Sequence, residues 1–268
     1  MPSRTTRGLR GRATARRRRR SANCWLAWPY RPYFLSQLSL YMSASLARPH
    51  AIIFDINETL LDLAPLREAV NKAFGDPSGF RQWFGLLLQH SQTATLTNQY
   101  FNFSTIGDVA FDMAATMLNV KSLGEEKKHE LAQLFTKLPA HPDVVPGLAR
   151  LRDAGFRLFT LTNSSPADTE KQLQAAGIRE YFEQAYSVEP VRLYKPHPAP
   201  YLYVAEQAGL QPAQCLLAAA HGWDVAGALA AGLQAAFIAR PSQPLYPLAP
   251  APTYQAADIA ALAQQLAG

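Results

Sequence analysis

Ala51-Ile52-Ile53-Phe54-Asp55-Ile56-Asn57-Glu58-Thr59-Leu60 is the stretch on which the reading of this chain turns. An unbroken apolar run, rich in β-branched and aromatic residues, stops at a carboxylate. Asn57 and Thr59 follow on alternate positions. Such a run fits a strand covered on both faces. An acid at the carboxyl end of a buried strand stands where open α/β sheets place their ligands and their chemistry. The competing reading is local: an Asp there can also cap the helix that follows.

Outward toward the C-terminus, the pattern from Leu63 to Lys137 is helical. Leu66, Ala69, Val70, Ala73 and Phe74 have 3.6-type spacing, and Gly75-Asp76-Pro77 closes that helix. Further helices are expected over Phe80–His90, Ile106–Leu118 and Glu125–Leu138. From Pro146 strand and helix alternate. Strands are expected at Phe156–Leu161, Ala185–Val188, Cys215–Ala219 and Gln234–Ala239. Helices are expected at Gly147–Ala154, Pro166–Ala176, Pro198–Ala208 and Asp224–Ala231, each followed by Gly, the signature of a left-handed C-terminal cap. Alternation of this kind predicts a parallel sheet covered on both faces. Pro241–Pro252 reads as a surface crossing and Ile259–Leu266 as a terminal helix.

Outward toward the N-terminus, residues 1–41 hold ten Arg and no Asp, Glu or Lys. Beyond them 16 basic residues face 20 acidic ones, so the net charge of +6 belongs to the tail and the body is mildly acidic. Arg16 to Arg20 form a basic run, and Trp25, Trp28, Tyr30, Tyr33 and Phe34 follow. An Arg-rich, acid-free start suits a transit peptide or a nucleic-acid arm. No apolar stretch has the length of a membrane span, and Pro29, Arg31 and Pro32 interrupt any signal-peptide core. The preferred reading is a disordered extension over residues 1–47, with Met42 as the real initiator. Cys24 and Cys215 are too few for a disulfide framework, so a reducing, cytoplasmic location is expected.

Three later stretches fit the opening one. Thr162-Asn163-Ser164 follows the second strand, Lys195 precedes Pro196 with Tyr201 six residues on, and Trp223-Asp224 follows the Cys215–Ala219 strand. Together with Asp55 and Thr59 these resemble the motifs of the haloacid dehalogenase superfamily, and in detail those of the type II L-2-haloacid dehalogenases, over about residues 48–240. The resemblance implies an α/β Rossmann-like parallel sheet with an inserted α-helical cap. Its core domain would span 48–62 and 140–268, and its cap domain 63–139. It implies Asp55 as a covalent nucleophile, Thr59 as the residue orienting it, and Lys195 and Asp224 as its catalytic neighbours. Asn57, Thr162, Asn163, Trp83, Leu88, Phe103, Tyr201 and Trp223 would bind substrate, with Tyr100 also near the pocket. The implied reaction converts small 2-haloacids to 2-hydroxyacids with inversion, through an aspartyl ester, in a homodimer.

The residues support parts of this chemistry independently. A carboxylate is a weak nucleophile unless held and desolvated, and the Lys195 ammonium would keep it ionised. Thr59 and Thr162 can donate hydrogen bonds, and backbone N–H groups at the start of the helix after Asn163 suit a substrate carboxylate. Position 57 is Asn where phosphatases of this superfamily have a proton-donating Asp. Position 220 is Ala where they have an acid that helps hold a divalent ion. A halide needs no proton to leave, so no metal and no cofactor are expected. Two departures from the dehalogenase pattern stand out. Phe84 takes the place of a halide-binding Arg, with Arg81 one turn away, and Ala219 and His221 replace a Ser and an Asn. His221 suits the role of base for the hydrolytic water. A capped phosphatase of a small metabolite and a non-catalytic binding protein on the same scaffold are the alternatives. No nucleic-acid or membrane partner is expected.

Overall fold

A computed structural model describes residues 47–268. The expected extension and the initiator at Met42 therefore lie outside the described residues, save residue 47, whose carbonyl accepts a bond from Gln234 Nε2 at 2.9 Å.

Strand β1, Ala51–Phe54, is buried at every position. Helices α1 (Ala64–Phe74), α2 (Gly79–Leu96), α3 (Phe103–Leu118) and α4 (Glu125–Phe135) follow as one block without a strand between them. Then α5 (Val144–Asp153), β2 (Arg157–Thr162), α6 (Pro166–Ala175), β3 (Gln184–Ser187), α7 (Pro198–Gln207), β4 (Cys215–Ala219), α8 (Gly222–Ala230), β5 (Gln234–Ile238), β6 (Tyr254–Ala256) and α9 (Ile259–Ala267) complete the chain. The sheet has six strands in the order β3-β2-β1-β4-β5-β6, and each neighbouring pair is parallel. This is the expected α/β architecture with a helical insertion after the first strand.

Because every strand runs the same way, all carboxyl ends lie along one edge. The chain leaves β1 toward β2 on one side and later returns to β4 on the other. The order reverses at β1, which opens a crevice beyond its carboxyl end. Asp55 sits there, and its backbone N–H donates to Ala218 O at 3.1 Å. The glycines after α5, α6, α7 and α8 all have positive φ, from 67° at Gly177 to 83° at Gly155 and Gly232. The cap signature thus marks the helix ends as expected.

Helices α3 and α5 begin three residues before their expected starts and α4 ends three residues early; two other elements differ more. Helix α2 runs on to Leu96 instead of stopping at His90, because Ser91, Thr93, Thr95 and Thr97 return their hydroxyls to carbonyls three or four residues back. Polar residues that read as a helix end are thereby satisfied within the helix. Strand β6 was not expected. It follows the proline-rich crossing and pairs with β5 at the sheet edge, where partnership rather than local pattern makes a strand. The block α1–α4 has an aromatic core of its own: Trp83 stacks on Phe111 at 4.7 Å between centroids, and Phe80 on Phe84 at 5.4 Å. No helix among the described residues is long and apolar enough to cross a membrane.

Candidate active site

The four stretches singled out in the sequence meet at the crevice. Asp55 is buried, and its two oxygens are held from different directions. Lys195 Nζ donates to Oδ1 at 2.9 Å. Thr59 Oγ1 donates to Oδ2 at 2.7 Å. The direction of that second bond is fixed, since the same hydroxyl accepts from Ala220 N–H at 2.9 Å. His221 Nδ1 lies 3.2 Å from Oδ2. Burial alone would raise the Asp55 pKa. The Lys195 ammonium, the bond and charge of His221 and the Thr59 hydroxyl outweigh it and hold the carboxyl well below the usual carboxylate range. The arrangement presents an ionised, desolvated carboxylate to whatever enters the crevice.

Lys195 is the hub. Its ammonium has three donors, and it spends them on Asp55 Oδ1, on Asp224 Oδ2 at 2.7 Å and on Leu161 O at 3.0 Å. Burial lowers its pKa, but the charges of Asp224 and Asp55 raise it further, so it remains protonated. Asp224 is raised by burial and by the Asp55 charge, against the pull of Lys195. Both its oxygens accept bonds, from Lys195 and from Tyr201 Oη at 2.5 Å. Tyr201 is fully buried against Asp224 and stands behind the cluster. Asn163 Oδ1 accepts from the Lys195 backbone N–H at 3.1 Å, and Thr162 Oγ1 from Ser164 N–H at 3.2 Å. The Asn163 bond ties the loop after β2 to the loop that carries Lys195, and the Thr162 bond holds the turn of the first of these loops.

The cap residues take varied places. Trp83 donates its indole N–H to Gly107 O at 2.9 Å. With Leu87, Phe103, Phe111, Phe135 and Ser164 it lines a cavity of about 310 Å3. Leu87, not Leu88, faces that cavity; Leu88 is partly buried against the apolar core. Tyr100 stacks on Tyr194 at 5.5 Å, and Phe103 lies 5.9 Å from the same ring. Tyr194 also bonds Phe101 O, and its backbone N–H donates to Thr95 Oγ1 at 2.9 Å, so it joins the helical block to the Lys195 loop. Arg81 is exposed, whereas Phe84 lies 6.3 Å from the His221 ring. The guanidinium one turn away is therefore in solvent, where water competes for any anion. Trp223 stacks on the His221 ring at 5.2 Å.

Two buried contributors escaped the sequence reading. Gln172 is fully buried, and its Nε2 donates both to Asn57 Oδ1 at 3.1 Å and to Phe135 O at 3.0 Å. Arg240 donates twice to Thr59 O, at 2.9 and 3.2 Å, and forms a bidentate pair with Asp143 at 2.7 and 2.9 Å. Ser164 Oγ is buried without a partner. Signals existed for both contributors. Gln172 is a polar residue spaced with Thr169 and Leu173 on one helix face, and Arg240 is a charge just past a buried strand.

A divalent cation takes about six oxygen ligands. The two carboxylates that meet in the crevice are both bonded to the Lys195 ammonium, and position 220 is Ala. No group of three or more His, Cys, Asp or Glu among the described residues is placed to hold a metal ion.

A parallel sheet with a crevice at the order reversal, a helical insertion directly after β1, and Asp, Thr, Lys and Asp converging in that crevice define a hydrolase class. The profile of the haloacid dehalogenase-like hydrolases matches residues 49–232, and the chain belongs to that family. Its relatives point to one branch. It is similar to (S)-2-haloacid dehalogenase 1 of Pseudomonas sp. (strain CBS-3), 29% identical over 199 residues that make up 72% of this chain and 86% of that protein. The structure of L-2-haloacid dehalogenase from Xanthobacter autotrophicus with chloropropionic acid covalently bound superposes with a TM-score of 0.75 at 25% identity, over 82% of this chain and 99% of that one. The L-2-haloacid dehalogenase RSc1362 superposes with a TM-score of 0.78 at 28% identity, over 83% and 100%.

Proposed function

We propose that this protein is an (S)-2-haloacid dehalogenase that works through a covalent ester on Asp55. The observation that carries the reading is the Asp55 carboxylate itself: buried, ionised, and held by Lys195 and Thr59. Asn57 stands at the position from which a phosphatase would deliver a proton. An Asp55 oxygen attacks the carbon bearing the halogen from the side opposite the halide. The C–O bond forms as the C–X bond breaks, and the carbon inverts. Lys195 keeps the carboxylate charged before attack. The ester keeps one carbonyl oxygen, and the donor that already holds that oxygen, Lys195 on Oδ1 or Thr59 on Oδ2, polarises it. Water then adds to Cγ of Asp55 and gives up its proton to His221, and the 2-hydroxyacid leaves with one oxygen of the original carboxylate.

The substrate carboxylate is assigned to the backbone N–H groups at the start of α6, where the helix dipole favours an anion. Trp83, Phe103 and Trp223 are assigned to the apolar flank of the substrate, with Leu87 in place of Leu88. The reading includes no metal or cofactor, a small-molecule substrate, no nucleic-acid partner, a cytoplasmic location and a homodimer, the last following from the resemblance.

The test is a single turnover in water enriched in the heavy oxygen isotope, in excess chelator, with 2-chloropropionate as substrate. Halide release with heavy oxygen entering the Asp55 side chain is expected for the S isomer. Product formed without label in Asp55 sinks the mechanism, and metal-dependent phosphate release from phosphate esters in place of halide release sinks the function.

A further inference from the structure

The aromatic core of the helical block does not close completely. Between α2, α3, α4 and the start of α6 lies the cavity of about 310 Å3. Trp83 and Leu87 from α2, Phe103 and Phe111 from α3, and Leu131 and Phe135 from α4 form its apolar walls. Trp83 is held on two sides, by its stack on Phe111 at 4.7 Å and by its indole bond to Gly107 O at 2.9 Å, so the walls are fixed by packing. A cavity of about 150 Å3 with walls of this kind takes up benzene, and this one has roughly twice that room. A methyl group would leave most of it unfilled.

The two ends of the cavity differ. Ser104, Asp108 and Ala132 are exposed and mark a mouth toward solvent. Ser164 is at the buried end, 3% exposed. Its backbone N–H donates to Thr162 Oγ1 at 3.2 Å and its carbonyl accepts from Ser187 Oγ at 2.6 Å, so the hydroxyl is the polar atom it brings to the wall. That hydroxyl has no partner. A buried donor left so is unfavourable, and a ligand acceptor would satisfy it. The buried end also adjoins the reaction centre. Ser164 stands three residues past Leu161, whose carbonyl accepts from Lys195 Nζ, so the two backbones lie within about 10 Å of each other. On the facing wall, Phe135 O is joined through Gln172 to Asn57, two residues past Asp55. Lys128 reaches the cavity too, but Asp112 at 2.9 Å and Glu125 at 3.1 Å already match its charge.

We propose that this cavity holds the substituent on C2 of the substrate, that the substituent is an aryl or branched alkyl group, and that Ser164 Oγ–H donates to the substrate carboxylate beside it. The inference rests on the dehalogenase reading above and narrows its substrate. With C2 at Asp55 and the carboxylate at the start of α6, the substituent is the part of the molecule left to enter the apolar walls. A ring there gains edge and face contacts with Trp83, Phe103 and Phe111, which a methyl group cannot make. The mouth at Ser104 and Asp108 gives room for a group somewhat longer than the walls.

The test pairs ligands without a leaving group with two substrates. In calorimetric titration the wild type should bind 3-phenylpropionate at least about tenfold more tightly than propionate, with a negative heat-capacity change from the buried ring. The kcat/KM for (S)-2-chloro-3-phenylpropionate should exceed that for (S)-2-chloropropionate by a similar factor. Gly107 is the place to fill the cavity, since the nearest neighbours of a Cβ there are Leu87 and Trp83, at 3.8 and 3.9 Å, which is ordinary contact. Gly107→Leu should erase both preferences, whereas Gly107→Ala, one methyl larger than the wild type, should keep most of each. Ser164→Ala should weaken propionate and 3-phenylpropionate alike, by about tenfold, because it removes a donor to a carboxylate. Equal wild-type affinity for the two acids overturns the proposal, and this comparison decides even if G107L does not fold. A preference that survives in folded G107L overturns it as well, and unchanged affinities in S164A overturn the role of the hydroxyl. Failure of the wild type to release halide from any haloacid sinks the dehalogenase reading instead, and the titrations still judge the cavity by themselves.

Discussion

Replacing Lys195 with Met tests the centre of the site, because one ammonium serves two buried carboxylates. Met has a similar length and no charge, so the change removes the bonds at 2.9 Å to Asp55 and 2.7 Å to Asp224 without opening a large void. Lys195 is about 1% exposed, and its partners are nearly as dry, so solvent does little to soften the loss. Breaking a buried ion pair by removing one member costs ~3–5 kcal/mol, and two stranded carboxylates put this variant at the upper end. The pH dependence carries the sharper signature. In the wild type the Asp55 carboxyl is held below its unfolded value, so its contribution is present above that value and is lost as pH falls. In K195M burial and mutual repulsion push the pair above the unfolded value, so stability falls as pH rises through the shifted range. The deficit of the variant should therefore be small near about pH 4 and reach ~3–5 kcal/mol above about pH 7. Urea unfolding at a series of pH values measures it. A deficit under ~1 kcal/mol at pH 8, or one that shrinks as pH rises, refutes the picture of Lys195 as the neutralising charge.

Two further changes probe the residues behind the site. Gln172→Leu strands Asn57 Oδ1 and Phe135 O; it should cost ~1–3 kcal/mol in chemical unfolding and raise KM more than it lowers kcat, whereas an unchanged KM would show that the link between Asn57 and α4 does not position substrate. Arg240→Met removes the clamp on Thr59 O and leaves Asp143 unpaired. A loss of ~2–4 kcal/mol is expected at neutral pH, discounted for the partial exposure of Asp143. Burial raises the Asp143 carboxyl, but the Arg240 bonds outweigh it and hold it low, so the wild-type advantage should fade as pH drops below about 4. An advantage constant from pH 3 to pH 8 would contradict that assignment.

Much of this protein is local and so is legible in its sequence. The apolar run Ala51–Phe54, the alternation of strands and helices after Pro146 and the glycines that end those helices each depend on neighbours in the chain. The helical block between β1 and β2 is equally plain from its 3.6 spacing. Asp55 and Thr162 at strand ends, and Asp224 in the first turn of the helix after β4, follow from that layout, since parallel strands deliver their carboxyl ends to one edge. What the sequence misplaced were boundaries set by side chains satisfying the backbone, as the hydroxyls of α2 do, and the edge strand β6, which exists only by pairing with β5.

The tertiary structure alone decided which atoms meet. Lys195 lies 140 residues from Asp55 and Arg240 lies 181 from Thr59 in the chain. No periodicity says that one ammonium touches two carboxylates, that Gln172 joins Asn57 to the end of α4, or that Tyr201 supports Asp224 from behind. Nor does it say that one nitrogen of His221 is engaged and the other is not. Spacing along a chain reports on local conformation, whereas the charge state and reactivity of a buried group depend on every dipole and ion within a few ångströms, whatever their distance in sequence.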